Sequence, residues 1–286
     1  MRVRTRRRRR RARRRAGRED PLLMENMTWV EVKEAAEGGL PVVLAVGSTE
    51  QHGPHLPLAT DCLLPVGIAM EAARRFPLVV APPVRFGVKS RPLSGGGESF
   101  PGTLSISAAT LTVTVTDVLY ALARSGFRNL CVYNWHYENA GHLWEACDIA
   151  MSRGAQARIL LVENPMPEFT KEQLDELFPQ GFPGWDVEHA SIMETSLMYA
   201  LHPELVRRDR IVDDQAQRHP TWDVVPAPPE FIPASGVLWR PSQATPELGR
   251  KFLTAVSDRL VQALTTEFGS PSQEADISGS SKAANP

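Results

Sequence analysis

The chain of 286 residues is 42% hydrophobic, enough to bury a sizeable core, which excludes a disordered or fibrous protein. No apolar run approaches the roughly 18 residues that a membrane-crossing helix needs; Pro41–Val46 is strand-length. The net charge of −1 hides an asymmetry. Residues 1–20 hold 12 Arg against Glu19 and Asp20, which leaves 20 basic and 31 acidic residues over 21–286, a balance of −11.

The arginine block is followed by Gly17–Asp20 and a short Pro21–Met24 stretch, with no apolar h-region, so it is not a secretory signal. Residues 1–23 read as a disordered Arg-rich extension, with Met24 or Met27 as the effective start. A nucleic-acid arm would use such a block to neutralise phosphates, but the acidic body opposes that use and no nucleic-acid partner is expected. Cys62, Cys131 and Cys147 are odd in number and widely spaced, which fits neither a disulfide framework nor a thiolate zinc site. A reducing cytoplasm suits them.

Thr28 with Glu31 three residues later predicts a capped helix over 28–37, stopped by Gly38-Gly39. A strand over 41–46, a loop rich in His, Pro and Gly, a helix over 61–76 and a strand over 78–81 follow. Past the Gly/Ser/Pro loop 82–102, Ser107 caps a helix running to Arg124. A strand over 130–133, a helix over 138–153 and a strand over 159–162 continue the alternation. Strands separated by helices imply parallel βαβ crossovers, hence an α/β fold with a layered α/β/α domain and a mainly parallel sheet, spanning 24–268. The second half predicts a loop over 178–188, a helix over 190–201, a Pro-rich stretch 220–241 and a last amphipathic helix over 246–268. Residues 269–286 carry nothing apolar to bury and read as a disordered tail.

The chemistry gathers at two strand ends. The first strand runs into Gly47-Ser48-Thr49-Glu50-Gln51-His52, and the strand over 130–133 runs into Asn134-Trp135-His136-Tyr137-Glu138-Asn139. In extended chain, residues i and i+2 point the same way. Each segment therefore aims one carboxylate and one imidazole into the space where open α/β sheets gather ligands. Asp61, at the start of the next helix, adds a carboxylate able to bridge two ions. Carboxylate and imidazole without thiolate suit Zn²⁺ or Mn²⁺. Three carboxylates exceed the charge of one divalent ion, which favours two and a hydrolytic role. His55 is a further ligand type, but its neighbouring prolines point to shaping the loop.

Gly184-Trp185-Asp186-Val187-Glu188-His189, followed by Glu194-Thr195-Ser196, forms a second cluster. His189 is suited to proton relay near a bound substrate, and Trp185 to lidding a pocket. Ser94-Gly95-Gly96-Gly97 lacks a Walker lysine, so it reads as backbone brought close to a small ligand, with Ser94 as a hydrogen-bond donor.

These segments resemble the creatininase family over roughly residues 27–267. The strand-end motif from Gly47 to Asp61 is common to the family. Lys89-Ser90 with Ser94–Gly97, Phe100–Thr103, His136–Asn139 and Gly184–His189 with Glu194–Ser196 resemble the members that open the cyclic amide of creatinine to creatine. The resemblance implies that activity, with no organic cofactor, in a homohexamer. It implies one metal on Glu50, Asp61 and His136 and another on His52, Asp61 and Glu138. It implies substrate contacts from Ser94, Tyr137, Trp185, Asp186 and His189. A bridging hydroxide would attack the ring carbonyl, Glu138 and His189 would be the catalytic side chains, and His189 would pass a proton to the leaving nitrogen. The sequence departs from this pattern at Glu163–Phe169, which lacks the family's second pocket tryptophan, and in a shorter turn around 152–157. The metal residues are untouched, but the departure opens the substrate to another small amide, a guanidine-like compound or a peptide.

Overall fold

A computed structural model of the chain describes residues 22–166, 168–215 and 224–269. The Arg-rich segment 1–21 and the tail 270–286 lie outside these residues. Five parallel strands, β1 (Leu22–Leu23), β2 (Val42–Val46), β3 (Val79–Val80), β4 (Asn129–Asn134) and β5 (Arg158–Val162), form one sheet in the order β1-β3-β2-β4-β5. Every residue of β2 is buried, as expected for a central parallel strand covered on both faces.

Helices cover the two faces of the sheet. On one, Val43, Val80, Cys131 and Tyr133 pack against α2 (Thr60–Ala73), α6 (Ile192–Leu201) and α7 (Pro246–Phe268). On the other, Val42, Leu44, Val46, Leu130 and Val132 pack against α1 (Trp29–Glu37), α3 (Ala108–Arg124) and α4 (Ala140–Ser152). The alternation of strand side chains thus builds the expected α/β/α layers. The capping box of Thr28 and Glu31 and the Ser107 cap both form, and α7 has the expected bounds.

Two elements escaped the sequence reading. Leu22 and Leu23, assigned there to the disordered extension, pair with Val79 and Val80 at the sheet edge. A two-residue strand is too short to show a period. Helix α5 (Lys171–Leu177) is opened by a second capping box, Thr170 with Gln173. The helix expected from 138 begins at Ala140, because Tyr137–Asn139 form a 3₁₀ turn; that shift changes where Glu138 points.

The chain leaves β2 toward β3 on one side and β4 toward β5 on the other, so the loops after β2 and β4 diverge. This is the crevice where open α/β sheets bind ligands. Gly47 lets the two layers meet there: a Cβ on it would stand 2.1 Å from the Asp61 carbonyl oxygen. The residue four positions on is Pro65, which has no N–H to offer that carbonyl.

Candidate metal centre

Glu50 and His52 come from the loop after β2, Asp61 from the first turn of α2, His136 from the end of β4 and Glu194 from the first turn of α6; all five are buried. Their donor atoms form two groups that share Asp61, and Glu50 and His52 form a third with His189. His136 Nδ1 lies 3.0 Å from Glu50 Oε1 and 3.3 Å from Asp61 Oδ2. His52 Nε2 lies 3.1 Å from Asp61 Oδ1 and 3.6 Å from Glu194 Oε2. Adjacent ligands about 2.1 Å from one ion stand roughly 3.0–3.4 Å apart at angles of 90–109°; the Glu50–His136, Asp61–His136 and Asp61–His52 separations match that spacing, and Glu194 stands slightly beyond it. Each Asp61 oxygen faces a different imidazole.

The opposite nitrogen of each ring donates to a backbone carbonyl, His136 Nε2 to Val88 at 2.9 Å and His52 Nδ1 to Glu50 at 3.2 Å. This fixes the tautomer that turns a lone pair toward the carboxylates, the usual arrangement behind a metal-ligating histidine. Further contacts hold the frame. Asn134 bonds both the N–H and the carbonyl of His136, Asn139 reaches Val88 N and Gly47 O, and Trp135 Nε1 donates to Glu194 Oε1 at 3.2 Å.

Without a cation the imidazoles take up protons instead. Burial alone would lower His52, but Asp61 and Glu194 overcome it and hold its pKa at about 10; His136 is likewise held well above the usual range by Glu50 and Asp61. Burial pushes Glu194 up to about 7. In the metal-free protein, the stability that His52 contributes is fully present below its unfolded pKa of about 6.5. It is lost as pH rises through about 10. A cation must displace those protons, so its affinity runs the other way and rises with pH. We expect added Zn²⁺ to raise the melting temperature more at about pH 8 than at about pH 6, a contrast readable by differential scanning fluorimetry; a shift independent of pH would contradict this.

Not every expected residue joins these groups. The resemblance paired Glu138 with His52 and Asp61, but Glu194 stands beside them. Glu138 sits in the 3₁₀ turn, where the same-side rule for extended chain no longer applies, and its Oε2 is 3.5 Å from the far nitrogen of His136. It accepts from Arg91 N–H at 3.1 Å and from the Ser94 hydroxyl. Ser94, expected to face a ligand, thus donates to a protein carboxylate. His55 joins neither group; its Nε2 meets Thr195 Oγ1 at 2.9 Å, and burial with His52 lowers its pKa to about 4.

His189 stacks on His52, ring centroids 4.4 Å apart, with Nδ1 3.9 Å from Glu50 Oε1. Its Nε2 meets the Gln51 side-chain amide at 2.9 Å, and burial and His52 lower its pKa to about 4. Both groups open into a cavity of about 260 Å³, also lined by Ser94, Tyr137, Glu138, Trp185, Asp186, Glu188 and His189. Tyr137 stands at its rim, 74% exposed. Trp185 is backed by Phe169, Phe178 and Phe182, ring centroids 5.9, 6.1 and 4.6 Å away.

The family model for creatininase, described as creatinine amidohydrolase, matches residues 25–264. The chain belongs to the creatininase family. Creatinine amidohydrolase of Pseudomonas putida is 40% identical over 248 residues, 85% of this chain and 95% of that protein. The mycofactocin precursor peptide peptidase of Mycobacterium tuberculosis (strain CDC 1551 / Oshkosh) is 28% identical over 260 residues, 84% and 93% of the two. Among solved structures, the manganese form of creatininase superposes with a TM-score of 0.81 at 36% identity, covering 87% of this chain and 99% of that one. A mutant creatininase of Zn-Zn type gives 0.82 at the same identity and coverage. The chain is accordingly a creatininase-family hydrolase, a metal-dependent amidohydrolase. Among the described residues no helix is long and apolar enough to cross a membrane.

Proposed function

We propose that this creatininase-family protein is a dinuclear amidohydrolase that opens the cyclic amide of creatinine to creatine. The observation that carries the proposal is Asp61, whose two oxygens face two imidazoles in two separate donor groups. One ion belongs to Glu50, Asp61 and His136, the other to His52, Asp61 and Glu194. The donors are nitrogen and oxygen only, which suits Zn²⁺ or Mn²⁺. When bound, such ions activate water and polarise the amide carbonyl.

The remaining chemistry belongs to the chain's own side chains. The indole of Trp185 offers a flat apolar wall to a planar ring, and its aromatic backing keeps it upright. Asp186 and Ser94 line the same cavity, and Tyr137 stands over its mouth. As water adds across the amide, the ring C–N bond breaks, a carboxylate forms and the leaving nitrogen takes a proton. His189 and Glu138 are the two catalytic side chains in this reading, with His189 handling that proton from the face beside Glu50. The catalytic unit spans 24–268 and needs no organic cofactor.

The protein works in the cytoplasm, which its three free thiols suit. It assembles as a homohexamer, a reading supported by exposed Val113 and Tyr120 on α3 and Trp144 on α4.

A second reading keeps the metals and changes the substrate to another small amide or a peptide. It is favoured by the segment 163–169, which puts no tryptophan into the cavity: Phe169 lies behind Trp185 and does not line it, and the tryptophans that do are Trp135 and Trp185. Purified chain loaded with Zn²⁺ or Mn²⁺ should convert creatinine to creatine, followed by chromatography of both compounds. Full metal loading with no creatine formed, but cleavage of a different amide, would support the second reading.

A further inference from the structure

Residues 90–97 make polar contacts to two cavity carboxylates at once. Ser90 donates its hydroxyl to Glu50 Oε2, while Ser94 and the Arg91 N–H donate to Glu138 Oε1. Ser90 is only 3% exposed. Its contact divides the labour within Glu50, because the other oxygen, Oε1, is the one 3.0 Å from His136 Nδ1.

We propose that Ser90 is a positioning residue that leaves Glu50 a single oxygen for a cation and so sets metal affinity at the Glu50–Asp61–His136 group. The terminal torsion of a glutamate is broad and roughly two-fold, so an untethered Glu50 would sample geometries in which either or both oxygens face the ion. The Ser90 hydroxyl removes that freedom while leaving the carboxylate its charge. Gly97 closes the arrangement: a Cβ there would stand 3.0 Å from Ser90 Oγ and 3.1 Å from Glu50 Oε2. A side chain at this position would therefore crowd the pair. Partners behind a metal ligand typically change affinity by about 10–100-fold.

This inference rests on the two-ion reading above, and the test separates the two. Metal-free full-length protein is titrated with Zn²⁺ against a chelating competitor, for the wild type, Ser90→Ala and Ser90→Thr. Ser90→Ala should weaken one ion about 10–100-fold and leave the other unchanged, and Ser90→Thr, which keeps the hydroxyl, should restore affinity to within about threefold. If the threonine does not fold, Gly97→Ala, which presses on the same pair, should weaken the same ion. Wild-type affinity for both ions in Ser90→Ala would overturn the inference. So would equal weakening of both ions together with a lower melting temperature of the metal-free chain, which marks a merely structural role. A wild type that takes up one ion overturns the two-ion reading instead, and Ser90→Ala must then weaken that one.

Discussion

Asp61→Asn will strip the protein of its cations and lower turnover by at least about 10³-fold. Asparagine keeps the shape of the side chain, so α2 and its buried packing should survive. What changes is the donor set. One carboxylate oxygen becomes an NH₂ group with no lone pair to give, and the residue loses the charge that holds His52 and His136 in place. Because the Asp61 oxygens face the two groups separately, at 3.1 and 3.3 Å from the two imidazoles, both sites feel the change. Elemental analysis with a turnover assay checks this, with far-UV circular dichroism confirming the fold. Retention of full metal content and activity would show that Asp61 is structural.

The second large effect is expected at Glu194. Glu194→Gln should weaken the ion beside His52 by about 10²-fold and reduce turnover in proportion, while the ion beside His136 remains. This separates the arrangement seen here from the one that the resemblance implied, in which Glu138 completes the His52 group. Zinc titration of Glu194→Gln and Glu138→Gln, run side by side, decides between them. Should Glu194→Gln bind both ions as the wild type does while Glu138→Gln loses the His52-side ion, Glu138 returns to the ligand set and the 3₁₀ turn must rearrange on metal binding.

Much of this centre was legible in the sequence because it follows directly from strands. A buried apolar run ending in Glu50-x-His52, a second ending in His136, and an acidic residue opening the next helix needed only the rule that ligands collect where parallel strands end. The caps at Thr28 and Ser107 were equally local. Glu194 was not legible as a neighbour of His52. It arrives from a helix more than a hundred residues downstream, and only the packing of α6 on the sheet brings it to His52. Glu138 stands apart from the His52 group for the converse reason: its spacing from His136 fits an extended chain, and the chain there has already turned. Gln51, Ser90, Asn134, Trp135 and Asn139 act through contacts between distant loops, and no periodicity reports such contacts. The two-residue strand β1 shows the same limit in the fold, since its existence depends on Val79 and Val80 and not on its own pattern.

The most direct measurement is the number of divalent ions bound per chain, determined by elemental analysis of the purified protein and followed by creatinine turnover as each ion is added back. A dinuclear centre built on Asp61 requires two ions per chain, with creatine formed at full rate only when both are present. Full turnover with a single ion per chain would contradict it.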